Sequence, residues 1–415
     1  MMGKLIEKWN SISLVLRILG GIIVGTIIAV VARLLNIVDY LAWLKVFGDV
    51  FVGALKAIAP ILVFVLVINA FCNSGKKLDK RFGTVIFLYI LTTFIAAFVA
   101  VLAGFLFPID LSGLLSSGAS GNPPQNIGEV ILNLFTNMVK NPVGAIVEGN
   151  YLGVLFWAII IGIALKKSSD NTKGVVADLS NAISSCVRFV ISLAPFGILG
   201  IIFDTVARQG LGIFTTYGKL ILVLVGCMLF ISLVINPIIA SITIKKNAYP
   251  LVLRCLKESG ITAFFTRSSA ANIPVNMKLC ESLGLDKDFY SVSIPLGATI
   301  NMDGAAITIT VLAMAAAVTC GITIDIPTAL LLSVIATLGA CGASGVPSGS
   351  LMLVPLACGL FGVDSTIAMQ VVAVGLAVSV VQDSLETALN SSGDVLFAAI
   401  AEFREWRKQG KEIKF

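Results

Sequence analysis

The sequence predicts an all-α protein that crosses a membrane many times, as eight transmembrane helices and two re-entrant helical hairpins. Of its 415 residues, 57% are hydrophobic and only 13% are charged, whereas a soluble domain carries about 25% charged residues. Several apolar runs reach the roughly 20 residues that a helix needs to span a bilayer. Runs this long and uninterrupted exclude a β-barrel, whose strands alternate polar and apolar residues.

Six of the spans are predicted before residue 250. The first, 13–35, is too long for the apolar core of a signal peptide and lacks a clear cleavage site, so we interpret it as a transmembrane helix. The other apolar segments of this part are 42–71, 82–107, a helix within 126–166, 178–205 and 219–243. Together, residues 1–249 form the six-span portion of the chain.

Lysine and arginine mark one side of the membrane. They cluster at both chain ends and in alternate connections, at Lys4, Lys8, 76–81, 166–173, 245–257 and 404–414. Positive charge collects on the cytoplasmic side of a membrane. We therefore expect both termini in the cytoplasm and interpret the net charge of +6 as a signal of topology, with no nucleic-acid partner.

After residue 250 the apolar segments are interrupted. Segment 250–283 breaks at 266–274, and segment 327–365 breaks at 339–349, each near its middle. Each predicts a re-entrant hairpin, hairpin 1 and hairpin 2, which enters and leaves on one side. Long helices follow them at 289–319 and 367–402, so residues 250–402 form an inverted repeat of the kind that surrounds transporter substrate sites. The alternative is two ordinary loops that join four short spans. Residues 403–415 are left as a basic cytoplasmic tail.

The stretch 295–305 is the most informative of the chain. Apolar sequence flanks it, yet it holds Pro295, Gly297, Asn301 and Asp303. Proline removes a backbone donor and glycine weakens the helix, so carbonyls near Asn301 can lose their helical partners. Freed carbonyls beside a buried carboxylate suit a small hard cation such as Na⁺. The alternative is a kinked helix whose aspartate snorkels to the interface.

The last helix carries acids at membrane depth. Asp383, Thr387, Asn390 and Asp394 are spaced 4, 3 and 4 residues apart, which places them on one helical face. Acids inside a membrane need cationic partners, here Na⁺, a substrate ammonium or Arg267. The alternative is a solvated face near the cytoplasmic end.

The hairpin breaks can bind the carboxylate of a zwitterionic substrate. Exposed N–H groups at Ser268 and Ser269, and in the glycine-rich second break, can bind a carboxylate as helix N-termini do. Small residues at such breaks also serve close helix packing. In the third span, Tyr89, Thr92 and Thr93 place three hydroxyls on one face, although such hydroxyls usually bond to their own backbone.

Together these stretches resemble the dicarboxylate/amino acid:cation symporter family. Asn301-Met302-Asp303-Gly304 is similar to its Asn-Met-Asp-Gly signature, and the last helix is similar to its Asp–Thr–Asn–Asp pattern. Arg267-Ser268-Ser269 and Gly345-Val346-Pro347 are similar to its two hairpin tips. The resemblance covers essentially the whole chain, in the right order.

The resemblance implies a function and a set of site residues. It implies three Na⁺ sites, the first at Gly297, Asn301, Asn390 and Asp394, the second at Thr299 with carbonyls around Ala340, Cys341 and Ala343, and the third at Tyr89, Thr92, Thr93, Asn301 and Asp303. It implies a substrate site in which Asp383 binds the ammonium, with Thr387, Asn390, Arg267, Ser268, Ser269, Gly345 and Val346 around it. It also implies a homotrimer with elevator-like motion, whose scaffold and trimerisation helices lie in residues 1–249 beside spans three and six of the transport domain. The only cofactor expected is the co-transported Na⁺.

Two departures from the family pattern change the expected substrate. Members that carry acidic substrates have an arginine where this chain has Glu386, and Ala305 replaces a threonine. A carboxylate at 386 would repel an acidic side chain by about 4 kcal/mol at 4 Å with an effective dielectric of 20. A small hydroxylated side chain can instead donate to Glu386. In this respect the chain resembles the bacterial Na⁺/serine–threonine symporters of the family, proteins of the cytoplasmic membrane.

The sequence is compatible with other functions as well. The chain can carry acidic amino acids or C4-dicarboxylates, it can couple to H⁺, or it can be a cation channel, since midplane cation sites suit each. The absence of histidine favours Na⁺ over H⁺. An aspartyl protease with Asp303 and Asp383 as its dyad is disfavoured, because neither acid has the motif of such enzymes and a dyad must share one proton. We therefore predict that the protein is not an enzyme.

Overall fold

The computed structural model describes residues 12, 14–72, 80–115, 132, 135–136, 138–148, 150–343 and 348–413. The helices of the first part are α1 Leu14–Leu34, α2 Val38–Leu41, α3 Lys45–Cys72, α4 Lys80–Leu106, α5 Pro142–Glu148, α6 Tyr151–Leu165, α7 Asp170–Ser192, α8 Ala194–Gln209, α9 Ile213–Phe230 and α10 Asn236–Ile244. Those of the second part are α11 Tyr249–Cys255, α12 Ile261–Thr266, α13 Ser269–Ser282, α14 Lys287–Ile300, α15 Asp303–Thr319, α16 Ile326–Ala340, α17 Val354–Leu360 and α18 Ser365–Lys408.

The protein is a multi-pass membrane protein. Within the described residues, six helical stretches are long and apolar enough to cross a membrane: Leu16–Leu34, Arg81–Leu106, Asp170–Ser192, Phe214–Ile244, Lys287–Thr319 and Ser365–Lys408. The last two are 89% and 72% buried, whereas the others are 22–50% buried. The second part of the chain therefore forms the centre of the fold, and the first part surrounds it with apolar surface.

The segment predicted as one span at 178–205 is two helices. α7 ends at Ser192, Leu193 forms a turn, and α8 begins at Ala194 with Pro195 in its first turn. Proline is favoured there because an N–H in the first turn has no acceptor within the helix, so its absence costs nothing, whereas inside a continuing helix it would remove a hydrogen bond. A prediction based on hydropathy joined the two because both flanks of Leu193 are apolar.

Close backbone contact joins α1 to α8. A Cβ on Gly21 would lie 2.3 Å from the Pro195 carbonyl oxygen, and one on Gly25 would lie 2.7 Å from that of Leu199. These glycines are four residues apart and lie on one face, so the two backbones approach as closely as small residues allow. This contact fixes the outer helices against one another.

Each predicted hairpin contains two helical arms that pack on each other. In hairpin 1 the arms are separated at Arg267, which has a left-handed backbone (φ 50°), and at Ser268, whose hydroxyl accepts the N–H of Ala271 and caps α13. In hairpin 2 the first arm is α16, and the chain returns through the 3₁₀ turn Ser350–Leu353 into α17. Residues 344–347, which include Gly345 and Val346, lie outside the described residues.

The helix after hairpin 1 is broken and the helix after hairpin 2 is not. α14 ends at Ile300 and α15 begins at Asp303, with Asn301 and Met302 in non-helical conformations between them. α18 passes through Asp383 and Asp394 without interruption and continues to Lys408, so the predicted tail at 403–415 begins as helix. After the helix the chain packs back, because Lys246 Nζ donates to the Ile413 carbonyl at 2.8 Å.

An ion-pair cluster ties three elements together outside the apolar core. Arg81 on α4 pairs with Asp286, in the turn before α14, at 2.9 Å and with Glu402 on α18 at 3.8 Å. The Glu402 carboxylate also accepts the backbone N–H of Asp286. The hydrogen bond from Arg81 lowers the pKa of Asp286 below its ordinary value.

Asp286→Asn is expected to destabilise the protein at pH 7 by only about 0.5 kcal/mol, because the Asp286 side chain is 40% exposed and solvent screens the pair. Since the folded-state pKa is depressed, this contribution is complete above the unfolded pKa of about 3.9 and is lost as the pH falls through the folded value. Thermal unfolding in detergent at pH 7 and at a series of pH values below about 3.9 should show the difference between wild type and variant shrinking on acidification. Asp288→Asn, in the first turn of α14, is the control. A difference independent of pH would refute the electrostatic account.

Candidate functional site

The candidate site lies where the broken helix α14–α15 meets the middle of α18. Three backbone contacts hold the break open. The Gly304 N–H donates to Asn390 Oδ1 at 2.8 Å, and the Met302 N–H donates to Thr93 Oγ1 at 3.3 Å. A Cβ on Gly304 would lie 2.7 Å from the Cα of Glu386, so α15 packs directly on the backbone of α18. The break is therefore a built feature rather than a frayed end.

The first predicted cation group is assembled. Asn301 Nδ2 donates to Asp394 Oδ1 at 3.0 Å and to the Asn390 carbonyl at 2.9 Å. Gly297 faces them, because a Cβ there would lie 2.7 Å from Asp394 Oδ1 and 2.8 Å from the Tyr89 hydroxyl. Asp394 Oδ2 and Asn301 Oδ1 are buried and have no hydrogen-bond partner among the described residues. Unpaired buried oxygens cost free energy, and a small cation would supply the missing partner.

The third predicted cation group forms around Asp303. Thr93 Oγ1 donates to Asp303 Oδ1 at 3.1 Å, and the Thr92 hydroxyl also lies against this carboxylate. Asp303 Oδ2 is buried and unpartnered among the described residues. Of the hydroxyls predicted here, only that of Tyr89 points elsewhere, since it lies within hydrogen-bond distance of the Ser293 and Asp394 carbonyls. The Tyr89 hydroxyl therefore lies beside the first group, whereas its backbone carbonyl, which accepts the Thr93 hydroxyl at 2.7 Å, lies beside the Asp303 group.

Asn236 completes the surroundings of Asp303. Its side chain lies against the Asp303 carboxylate, is 3% exposed, and leaves Oδ1 without a partner among the described residues. It directly follows the π-helical turn Ile231–Ile235, which interrupts span six, and such turns often occur at functional sites. Asn236 was not predicted from the sequence, although an asparagine before Pro237 within an apolar span is a signal of the same kind as Asn301.

The second predicted cation group is looser. Thr299 Oγ1 donates to the Leu296 carbonyl of its own helix at 2.7 Å. Cys341 contacts the Ile300 carbonyl through its thiol at 3.6 Å, which places the end of hairpin 2's first arm beside the broken helix. The Ala340 carbonyl accepts the N–H of Ala343 at 2.9 Å. The structure brings these residues near one another, with their carbonyls partly engaged.

The predicted substrate group centres on Asp383. Arg267 Nη1 of hairpin 1 lies 3.8 Å from Asp383 Oδ2, and the Ser348 N–H of hairpin 2 donates to Oδ1 at 3.1 Å. Both hairpins thus meet at one buried carboxylate. Thr387 donates its hydroxyl to the Asp383 carbonyl of its own helix, and Ser269 is buried. The Asn390 side chain faces the broken helix, where Nδ2 contacts Met302 Sδ at 3.4 Å.

Glu386 is surrounded by donors that the sequence did not reveal. Its Oε2 accepts hydrogen bonds from Thr308 at 2.7 Å, from Ser350 at 2.8 Å and from Gln382. Thr308 and Ser350 are remote in sequence, so no local pattern indicates them. Gln382 lies one turn before Glu386 and was the only one of the three that helical spacing alone could have indicated.

Comparison with known proteins identifies the family of the chain. Residues 14–403 match the model of the sodium:dicarboxylate symporter family. The serine/threonine transporter SstT of Bifidobacterium adolescentis is 56% identical over 408 residues, which cover 98% of this chain and 93% of that protein. Proteins of the same name from Streptococcus thermophilus and Streptococcus agalactiae are 52% identical over 407 residues and 53% identical over 403 residues. Those matches cover 98% and 97% of this chain, and 100% and 98% of the relatives.

The match spans the broken helix, both hairpins and the polar face of the last helix. It assigns the protein to transport rather than to enzymatic chemistry. The chain belongs to the sodium:dicarboxylate symporter family.

Proposed function

We propose that the protein couples the inward movement of Na⁺ to the uptake of serine and threonine. The observation that carries this proposal is the set of unpartnered, buried oxygens on Asn301, Asp303 and Asp394 around the helix break. Hard cations such as Na⁺ take oxygen ligands, and a broken membrane helix supplies them as carboxylates and carbonyls. Each Na⁺ that moves inward with the membrane potential gains about 2.3 kcal/mol per 100 mV, which is enough to concentrate a zwitterion.

The cation sites follow the groups described above. The first uses Gly297, Asn301, Asn390 and Asp394. The second uses Thr299 with carbonyls of Ala340, Cys341 and Ala343, and the third uses Tyr89, Thr92, Thr93, Asn301 and Asp303. Asn236 joins the third, since its side chain lies against the Asp303 carboxylate and its buried Oδ1 has no partner among the described residues.

The substrate binds between the two hairpins. The substrate ammonium binds the Asp383 carboxylate, which also pairs with Arg267. The substrate carboxylate meets the backbone near Ser268 and Ser269 and the second tip at Gly345 and Val346, with Thr387 and Asn390 alongside. Support for this placement comes from Asp383, which both hairpins already reach in the structure.

Glu386 favours a neutral, hydroxylated side chain over an acidic one. An acidic substrate would bring a second carboxylate beside Glu386, at about 4 kcal/mol for a 4 Å separation, and the nearby Arg267 is already paired with Asp383 at 3.8 Å. The relatives from Bifidobacterium and Streptococcus carry the name serine/threonine transporter. Substrate chemistry here thus departs from the dicarboxylates that name the family.

The proposed architecture has eight transmembrane helices and two re-entrant hairpins, in a homotrimer at the bacterial cytoplasmic membrane with both termini inside. Clusters of lysine and arginine in alternate connections support this orientation. The buried second part of the chain, enclosed by helices with apolar outer faces, fits a transport body that moves as an elevator against a scaffold.

Uptake of radiolabelled L-serine into proteoliposomes tests the function. We expect accumulation under an inward Na⁺ gradient, little with a K⁺ or choline gradient, and competition by L-threonine but not by L-aspartate. Uptake that is blocked mainly by L-aspartate would reject the role of Glu386. Serine flux that ignores Na⁺ would reject the cation sites, and non-saturable flux without counterflow would indicate a channel.

A further inference from the structure

A compact polar cluster surrounds Glu386 inside an otherwise apolar core. We define the Glu386 cluster as Thr308, Ser350, Gln382 and Glu386, all of which are at most 6% exposed. Its members come from three elements: the broken helix, hairpin 2 and the last helix. Such a buried polar cluster is costly unless each member is satisfied, and Gln382 Oε1 is buried without a partner among the described residues. A cluster kept at this cost indicates a function.

The hydrogen bonds of the cluster converge on one atom. The hydroxyls of Thr308 and Ser350 donate to Glu386 Oε2 at 2.7 and 2.8 Å, and the Gln382 amide donates to the same oxygen. The Gln382 amide is also 2.8 Å from Thr308 Oγ1, which links two of the donors. A carboxylate has about two lone-pair sites on each oxygen, so Oε2 is fully used.

The other oxygen of Glu386 is left as an acceptor. No described residue donates to Oε1, and this oxygen, unlike Asp394 Oδ2, is not completely buried. Rotation of the carboxylate would break three hydrogen bonds at once, so the Oε1 side stays open. An accessible acceptor of this kind can take one donor from a ligand. An O–H on a short side chain provides that donor, whereas a methyl group or an ionised carboxylate does not.

The three donor residues lie on different elements of the fold. Gln382 lies one turn before Glu386 on the same helix. Thr308 lies on α15, which is buried from Asp303 to Ala317 and packs against that helix. Ser350 alone comes from hairpin 2, close to Ser348, whose backbone N–H donates to Asp383. The correct orientation of Glu386 therefore depends on hairpin 2 as well as on its own helix.

We infer that Ser350 and Thr308 are positioning residues that direct Glu386 Oε1 at the side-chain hydroxyl of the substrate, so that preference for hydroxylated amino acids belongs to the cluster and not to Glu386 alone. This inference rests on the proposed function. It assigns Ser350 a role through Glu386, without contact to the substrate.

Selectivity between serine and alanine tests the inference, because the two substrates differ by one hydroxyl. In Na⁺-driven uptake of labelled L-serine, Ser350→Ala is expected to raise the KM for serine about tenfold and to leave the inhibition constant of L-alanine within about twofold. Ser350→Thr keeps the donor and should restore the wild-type ratio. Thr308→Val, which keeps the shape of the side chain and removes its donor, should reproduce the effect of Ser350→Ala.

Ser333→Ala is the matched control. Ser333 is a buried serine on the first arm of hairpin 2 whose hydroxyl donates only to the Ala329 carbonyl of its own helix. Equal losses for serine and alanine in Ser350→Ala, or an unchanged serine-to-alanine ratio in both Ser350→Ala and Thr308→Val, would overturn the inference while serine transport by the wild type stands. A wild-type protein that does not accumulate serine with Na⁺ would overturn the proposed function and this inference together.

Discussion

Replacing Glu386 by glutamine is expected to abolish the preference for serine and threonine while preserving the shape of the site. The amide has one acceptor and one donor end. If its oxygen faces the substrate, its nitrogen meets the three donors that now reach Oε2; if it turns over, the substrate hydroxyl meets a donor instead of an acceptor. A hydrogen bond to a charged group contributes about 1.5–3 kcal/mol, so the KM for serine should rise by roughly tenfold or more.

The same variant should admit acidic competitors. Removal of the charge at 386 takes away repulsion of about 4 kcal/mol at 4 Å. L-aspartate, which we expect not to compete in the wild type, should therefore begin to inhibit serine uptake. Competition curves for threonine, alanine and aspartate in proteoliposomes measure both changes. Glu402→Gln makes the same substitution on the same helix. Glu402 lies away from the site, in the ion-pair cluster with Arg81 and Asp286, so this control should leave substrate selectivity intact. Unaltered serine selectivity in Glu386→Gln would remove Glu386 from substrate recognition.

Asp394→Asn is expected to weaken the binding of the Na⁺ that drives transport. The carboxylate contributes one oxygen to Asn301 and leaves the other buried without a partner among the described residues. Loss of a unit charge about 4 Å from a cation costs about 4 kcal/mol at an effective dielectric of 20, and the retained amide oxygen recovers part of it. The Na⁺ concentration for half-maximal serine uptake should therefore rise on the order of a hundredfold. Asp49→Asn, at an exposed residue on α3, is the control.

Gly297→Ala tests the same site without a change of charge. The added Cβ would lie 2.7 Å from Asp394 Oδ1 and 2.8 Å from the Tyr89 hydroxyl, so both oxygens must move. We expect the Na⁺ concentration for half-maximal serine uptake to rise in Gly297→Ala. Gly218→Ala, where the Cβ would meet nothing within 4 Å, should transport normally.

A Na⁺ concentration for half-maximal uptake within twofold of wild type in Asp394→Asn would contradict the assignment of the first cation group.

Much of the candidate site could be predicted because polar residues are conspicuous in an apolar chain. Asn301, Asp303, Asp383 and Asp394 were identified by their cost at membrane depth, and the structure brings the first, second and fourth together around one helix break. Helical spacing also placed Asn390 and Asp394 on one face. These inferences needed only composition, period and the bilayer as solvent.

Residues that act across elements were not predictable in this way. Thr308 and Ser350 are separated from Glu386 by 78 and 36 positions, and each is an ordinary hydroxyl in its own segment. Their role exists only where α15 and hairpin 2 meet the last helix. The break at Leu193 escaped hydropathy for a related reason, since apolarity reports burial or lipid contact and not the direction of the chain.

The sequence by itself determined the membrane class, the order of the helices, the interrupted segments and the acids that need cationic partners, because each follows from local hydrophobicity and from the cost of polar groups in lipid. Tertiary structure alone decided which oxygens remain unpaired, which hairpin reaches which carboxylate, and how Glu386 is held. Those features depend on distances between residues far apart in the chain, and a hydrogen bond is made or lost within a few tenths of an ångström.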